Sequence, residues 1–157
     1  MYKRILVPVD GSPPSQLGLG HAVGLAKPLG ARIRLLNVVD ELSLVSAADA
    51  AAVADLATLI AGLQEAGQRV LDDCARYVAA HGVEYEEVQL QSQGGHVSAV
   101  IVRDAEDWRA DLICIGTHGR RGITRLILGS DAERVSREAR MPVLLVRGAE
   151  DASGGRA

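Results

Sequence analysis

The sequence predicts an α/β fold: an open five-stranded parallel sheet with helices on both faces. Two observations predict it. Five short runs of aliphatic and β-branched residues are bounded by turn residues, and helical patterns separate them. Three of those runs, "ILVPV", "LICIG" and "VLLV", are apolar throughout rather than alternating, as strands covered on both faces are. A regular β-α-β-α-β-α-β-α-β alternation calls for right-handed crossovers, and these make the sheet parallel.

The first strand spans Arg4 to Val9. Pro8 within it has no N–H, so no neighbouring strand can rely on a donor there. The first helix opens with Ser12 as N-cap and Pro13 in its first turn, and it is expected to end before Pro28 and Gly30. The second strand spans Arg32 to Val38. From Glu41 to Asp55, "ELSLVSAADAAAVAD" holds good helix formers without a clear face and reads as a mobile lead-in. The second helix carries apolar residues at Leu56, Leu59, Ile60, Leu63, Val70, Leu71, Cys74, Tyr77 and Val78, the stripe of a packed helix, with Gly82 as its C-cap.

The third strand, Glu84 to Leu90, alternates as "EYEEVQL", which suits a sheet edge with one wet side. The third helix runs from Val97 to Trp108 and the fourth strand from Asp111 to Ile115. The fourth helix runs from Ser130 to Arg140 and is stopped by Pro142; the last strand is Pro142 to Arg147. Residues 148–157, "GAEDASGGRA", read as a flexible tail, so residues 1–147 form one domain.

Bulk properties narrow the function. A chain of 157 residues can bury a core without disulfides or metals. Hydrophobic residues make up 48% and charged residues 24%, but aromatics only 3% with no Phe, so the core must be aliphatic. A net charge of -3 gives no general attraction to nucleic acid or anionic lipid, and base-stacking aromatics are scarce. The start "MYKRILVPVDGS" has no signal-peptide core, and no run approaches about 18 apolar residues, so a cytoplasmic, non-membrane protein is expected. Cys74 and Cys114 lie in apolar runs and read as buried free thiols.

One stretch asks for a ligand. "GTHGRRGITRLILGS", residues 116–130, begins where the fourth strand ends and leads into the fourth helix. In open parallel sheets, ligands sit beyond the carboxyl ends of the strands, where the strand order reverses. Its glycines allow backbone amides to approach an anion, Ser130 opens a helix whose free N–H groups favour phosphate, and Arg120, Arg121 and Arg125 add charge. From composition alone, a glycine-rich βα connection with solvated arginines explains the stretch equally well.

The spacing Gly116-x-x-Gly119, nine residues, Gly129-Ser130 resembles the ATP-binding motif of the universal stress protein family. "ILVPVDGS" is similar to that family's first strand and turn, and "RMPVLLVR" to its last strand. The resemblance extends over residues 2 to 147. It implies a Rossmann-like sheet of order 3-2-1-4-5, a homodimer, and ATP held between the ends of strands one and four; the apolar last strand, Pro142 to Arg147, expected at a sheet edge, is where two chains would pair. Pro8, Val9 and Asp10 would then lie beside the adenosine, with Asp10 bonded to adenine or ribose, and Val39 would contact adenine. Ile115, Gly116, Thr117, His118, Gly119 and Gly122 would wrap the ribose and phosphates, flanked by Arg120 and Arg121. Gly129 and Ser130 would bind the phosphates.

Asp131 departs from the family pattern, which more often has a small apolar or hydroxyl residue there. At a first helical turn a carboxylate suits the dipole. Near phosphates it would instead repel them, or hold a divalent cation such as Mg2+ or Mn2+ that neutralises them.

Other constellations weigh less. Gly18-x-Gly20 followed by Asp40 imitates a dinucleotide fingerprint, but it lies inside the first helix rather than in the turn after the first strand. Close packing of that helix on the sheet explains its glycines. The Gly-Lys-Ser/Thr phosphate loop and the Gly-x-Ser-x-Gly elbow are missing from the sequence. His21, His81, His96 and His118 lack ligand spacing, and no catalytic residue is assigned. His118 is either a ribose or phosphate neighbour or a solvated loop residue. Asp10 either meets the adenosine, caps the first helix with Ser12, or does both. The reading is a small ATP-binding regulator with at most slow hydrolysis. The alternatives are an interaction module of the same family without nucleotide and, less favoured, an adenylating enzyme.

Overall fold

The computed structural model of the chain describes residues 1–41, 56–117 and 129–147. Five parallel strands form one sheet: β1 (Arg4–Pro8), β2 (Arg32–Val39), β3 (Tyr85–Gln91), β4 (Leu112–Gly116) and β5 (Val143–Val146). Their order is β3-β2-β1-β4-β5, which agrees with the order that the family resemblance implies. The order reverses at β1, where the chain first builds towards β3 and then returns to the other side for β4.

Alternation along the strands splits the core in two. Ile5, Val7, Ile33 and Leu35 face one layer, with α1 (Pro13–Leu29) and α2 (Leu56–Ala80) over it. Leu6, Leu36, Ile113 and Ile115 face the other, under α3 (Val97–Asp107) and α4 (Ser130–Glu138). Both layers are mostly aliphatic, with Tyr2 packed on the first and Trp108 and Met141 on the second. The edge position of β3 accounts for its alternating, half-exposed pattern.

Helix ends follow their local chemistry. Ser12 caps α1, its Oγ accepting the Ser15 N–H at 3.3 Å. Gly30 closes the helix in the left-handed conformation, φ 59°, while the Ala31 N–H returns to the Ala26 carbonyl at 3.0 Å. The expected stop before Pro28 is corrected: α1 runs through it to Leu29. Pro28 deprives only the Gly24 carbonyl of a helical donor, and Gly24 is exposed, where solvent can supply one. Gly82, at φ 71°, follows α2 as expected.

Two further corrections concern helix faces and length. Leu59 and Tyr77 do not join the core; each is 42% exposed. The buried residues of α2 begin at Gly67, so its first turns extend beyond the end of the sheet at about 1.5 Å per residue. Helix α4 stops at Glu138 rather than Arg140. Ala139 is already extended, which lets Ala139 and Met141 pack on the second apolar layer.

Both cysteines are buried free thiols. Burial pushes the Cys74 thiol up to about 11 and the Cys114 thiol up to about 12, so neither is a thiolate at neutral pH. The Cys114 Sγ donates to the Gly18 carbonyl at 3.2 Å. Among the described residues no helix is long and apolar enough to cross a membrane. The segment 42–55 and the tail 148–157 lie outside the described residues.

Candidate functional site

The carboxyl ends of β1 and β4 lie side by side at the reversal of strand order, and the proposed site is built there. Val9 donates its N–H to the Leu36 carbonyl at 2.8 Å, so alternation directs the nitrogen of Pro8 the other way, towards β4. With β2, β1 is in register from Arg4 to Pro8; with β4 the registered pairs are Ile5–Leu112 and Leu6–Ile113. Proline has no N–H to carry the second ladder further.

Beyond Val9 the chain turns on its own polar groups. The Asp10 carboxylate accepts the Ser12 N–H at 2.9 Å, and the Asp10 N–H donates to Ser15 Oγ at 3.2 Å. Gly11 sits at φ 79°, a conformation that favours glycine, with Val70 of α2 packed against it. Asp10 thus acts with Ser12 in shaping the start of α1. The N-terminus of α1 is satisfied by the protein itself.

The end of β4 is crowded from the α1 side. A side chain at Gly116 would collide with the main chain of Pro14, and one at Gly18 would lie 3.1 Å from the Gly116 nitrogen. Gly18 is therefore a packing glycine inside α1, not part of a dinucleotide turn. Thr117 is 1% exposed; its N–H bonds the Val146 carbonyl at 2.9 Å. Its own carbonyl accepts the Gly129 N–H at 2.6 Å, which ties the start of α4 directly to the end of β4.

Helix α4 begins without a side-chain cap. Its first internal bond runs from the Glu133 N–H to the Gly129 carbonyl at 2.9 Å. The Gly129 N–H is already engaged, so the donors offered to an anion start at Ser130, which is exposed. Asp131, half-buried, and Glu133, exposed, occupy the same turn.

The structure gathers Pro8, Val9, Asp10, Ile115, Gly116, Thr117, Gly129, Ser130 and Asp131 at this rim. Ile115 is buried in the apolar layer beside α3 and α4. Val39 is 3% exposed and its carbonyl accepts the Ser92 N–H at 3.0 Å, on the β3 side. Alternation along β2 turns the main chain of Val38, which the sequence reading did not single out, towards β1 instead. Only strand register could reveal that difference. His118, Gly119, Arg120, Arg121 and Gly122, and the neighbouring Arg125, lie outside the described residues. Among the described residues no cluster of His, Cys, Asp and Glu could hold a metal ion.

A family model described as the universal stress protein family matches residues 1–147. The chain belongs to that family. The universal stress protein MJ0531 of Methanocaldococcus jannaschii is 35% identical over 147 residues, spanning 94% of this chain and 83% of that protein. The solved structure of the protein MJ0577 superimposes with a TM-score of 0.80 at 26% identity, covering 94% of this chain and 97% of the other. Two more distant structures carry nucleotides. One is a universal stress protein in complex with cAMP, with a TM-score of 0.63, 22% identity, and 93% and 97% of the two chains covered. The other is an Arabidopsis thaliana family member with AMP bound, with a TM-score of 0.68, 16% identity, and 98% and 96% covered. At such identities these two show that the fold is shared. In this universal stress protein the described ends of the glycine-rich stretch, Gly116–Thr117 and Gly129–Ser130, are joined beside the end of β4.

Proposed function

We propose that this universal stress protein binds an adenine nucleotide, ATP foremost, across the rim between β1 and β4. The observation that carries the reading is the uncapped start of α4, fixed by the Gly129–Thr117 hydrogen bond beside the end of β4. Uncapped helix amides and the helix dipole favour a phosphate there. The glycine and arginine residues between 116 and 130 would complete the polyphosphate site. The adenosine would lie along Pro8, Val9 and Asp10, with its base towards Val38 and Val39. Family members solved with cAMP and with AMP support an adenine ligand.

A divalent cation, Mg2+ or Mn2+, would neutralise the phosphates; Asp131, in the first turn of α4, would either favour the helix dipole alone or hold that cation. No residue is assigned a catalytic role, and slow hydrolysis at most is expected. In its cellular setting the protein would act as a small cytoplasmic regulator. The domain would span residues 1–147, with 148–157 as a flexible tail. Pairing of two chains through Pro142 to Arg147 is supported by the edge position of β5, whose Val143, Leu144 and Leu145 are only half-buried.

Mass spectrometry of nucleotide released from the purified protein, followed by calorimetry with ATP, ADP, AMP and cAMP, tests the reading. Gly119→Val and Gly129→Val should abolish binding while the fold persists by circular dichroism. Wild-type protein that retains no nucleotide and gives no heat with any of the four would leave an interaction module of the same family. With ATP, Asp131→Ala should weaken binding in magnesium if the carboxylate holds the cation, and tighten it without magnesium if repulsion dominates. A chain that sediments as a monomer at micromolar concentration would overturn the dimer.

A further inference from the structure

We propose that Asn37 is a positioning residue for the adenosine half of the site, acting through the main chain of Val9; the idea rests on the nucleotide reading above. Asn37 lies in β2 and is 6% exposed, on the side of the sheet covered by a mostly aliphatic layer. A buried amide needs partners, and Asn37 finds them at the rim. Its Nδ2 donates to the Val9 carbonyl at 2.8 Å. A regular parallel ladder that brings the Val9 N–H to the Leu36 carbonyl would next bring the Val38 N–H to the Val9 carbonyl. The side-chain amide holds that carbonyl from the α2 side.

The other end of the amide ties in two more elements. The Gln89 Nε2 of β3 lies 3.4 Å from Asn37 Oδ1 and donates to the Gln64 carbonyl of α2 at 2.8 Å. Gly67 of α2 sits over these amides, and any side chain there would collide with Asn37 Oδ1 and Gln89 Nε2. One turn further on, Val70 packs against Gly11 in the turn after β1. Two side-chain amides and two glycines thus connect α2, β3 and β2 to the last residues of β1.

A core asparagine that is merely satisfied would stabilise the fold and nothing else. The group that Asn37 holds argues for more. The Val9 carbonyl is followed directly by Asp10, whose N–H and carboxylate shape the turn through Ser15 and Ser12. Asn37 touches no part of the α4 start, so it governs where the adenosine would lie and leaves the phosphate end alone.

The test is the variant Asn37→Leu in the full chain, measured with ATP, adenosine and inorganic tripolyphosphate. Loss of one buried hydrogen bond that fixes the adenosine half should raise the Kd for ATP and for adenosine about tenfold. The Kd for tripolyphosphate should stay unchanged. In the ligand-free protein, amide exchange at Asp10 and Ser12 should speed up relative to the rest of the sheet. Equal weakening of all three ligands, or no change in any of them with unchanged exchange, would overturn the proposal. If the wild type binds none of the three, the nucleotide reading fails, and exchange at Asp10 and Ser12 alone decides whether Asn37 holds the β1 end. Should Asn37→Leu fail to fold, Gln89→Leu, which keeps the bond to Val9 but frees the amide from α2, should shift ATP and adenosine in the same sense. Gln89→Leu with ATP and adenosine both unaltered would then refute it.

Discussion

At its N-terminal end β1 is bonded to both neighbours, whereas at its C-terminal end main-chain bonds reach β2 alone and side chains hold the rest. Asp111, just before β4, accepts the N–H groups of Lys3 and Arg4 on one carboxylate oxygen at 2.8 and 2.9 Å. Its own N–H returns to the Arg4 carbonyl at 2.8 Å, and the Arg32 N–H reaches the Lys3 carbonyl at 2.9 Å. At the other end Pro8 has no donor for β4, the Val9 carbonyl is taken by the Asn37 amide, and the Asp10 carboxylate shapes the turn. The same strand is closed on both sides at one end and, at the other, is paired with β2 alone and open on its β4 side beside the candidate site. Polar side chains make the open end possible because they satisfy backbone groups that a ladder would otherwise pair.

The largest effect expected from breaking this arrangement is at Gly116. The open end keeps its shape because α1 packs directly on the end of β4, with Pro14 filling the space a side chain would need. Both partners there are backbone and cannot yield as a flexible side chain can. Gly116→Ala should cost about 3 kcal/mol, near the upper end for overpacking. Urea denaturation checks it, and a loss under about 1 kcal/mol would mean that α1 moves away easily.

At the closed end, Asp111→Ala removes the acceptor of two backbone N–H groups, one of them partly buried. The expected loss is about 2 kcal/mol, with nucleotide affinity unchanged, because none of these groups reaches the rim. Affinity that falls along with stability would show that the two ends of β1 are coupled and would erase the contrast.

A third prediction concerns a charged cluster nearer the closed end. Arg34 of β2 bonds Asp104 of α3 at 2.9 Å and Glu86 of β3 at 3.0 Å, and its guanidinium lies 4.7 Å from the Trp108 ring centre. Burial raises the Asp104 carboxyl above its ordinary value, with the charge and hydrogen bond of Arg34 pulling the other way. The folded state therefore takes up the proton more readily than the unfolded one. Its contribution is fully present below the usual carboxylate range, near pH 4, and is lost as pH rises through the folded-state value. Asp104→Asn, which stays neutral, should gain relative to wild type in denaturation experiments as pH rises above about 4. Parallel stability curves for the two proteins would show that Arg34 compensates the buried charge completely.

These contrasts bear on what could be read in advance. The strands were readable to within a residue because each is an apolar run between breakers, and Ser12, Gly30 and Gly82 marked helix ends through chemistry local to them. Leu59 was misleading because α2 continues past the sheet, and a helical period cannot say where the surface it packs on stops; Tyr77 lies beside the packed turns, on the flank of the buried stripe of Leu71, Cys74, Ala75 and Val78. The Asn37–Gln89 pair spans 52 residues and the Asp111 bonds span 107 and 108, separations at which no periodicity survives. At the candidate site, Gly129 and Ser130 were proposed from a spacing that resembles the family motif. That the Gly129 N–H is spent on Thr117, and that Val38 rather than Val39 turns its main chain to β1, depends on register, which spacing does not encode.

The smallest effect expected is at Pro8, and it sharpens the contrast most. Pro8→Ala supplies an N–H aimed at β4, the donor that the open end lacks. If the missing donor alone ended the ladder, the new amide would pair with β4 and exchange slowly with solvent. If α1 holds the end of β4 in place through Pro14 and Gly116, the amide gains no partner and exchanges fast. The packing at Gly116 favours the second outcome, because backbone in contact with backbone leaves no room for β4 to approach by small adjustments. Stability should then change by less than about 0.5 kcal/mol, and ATP affinity should be retained. A protected Ala amide at position 8, seen by hydrogen exchange in the ligand-free protein, would move the origin of the opening from helix packing to a single missing donor.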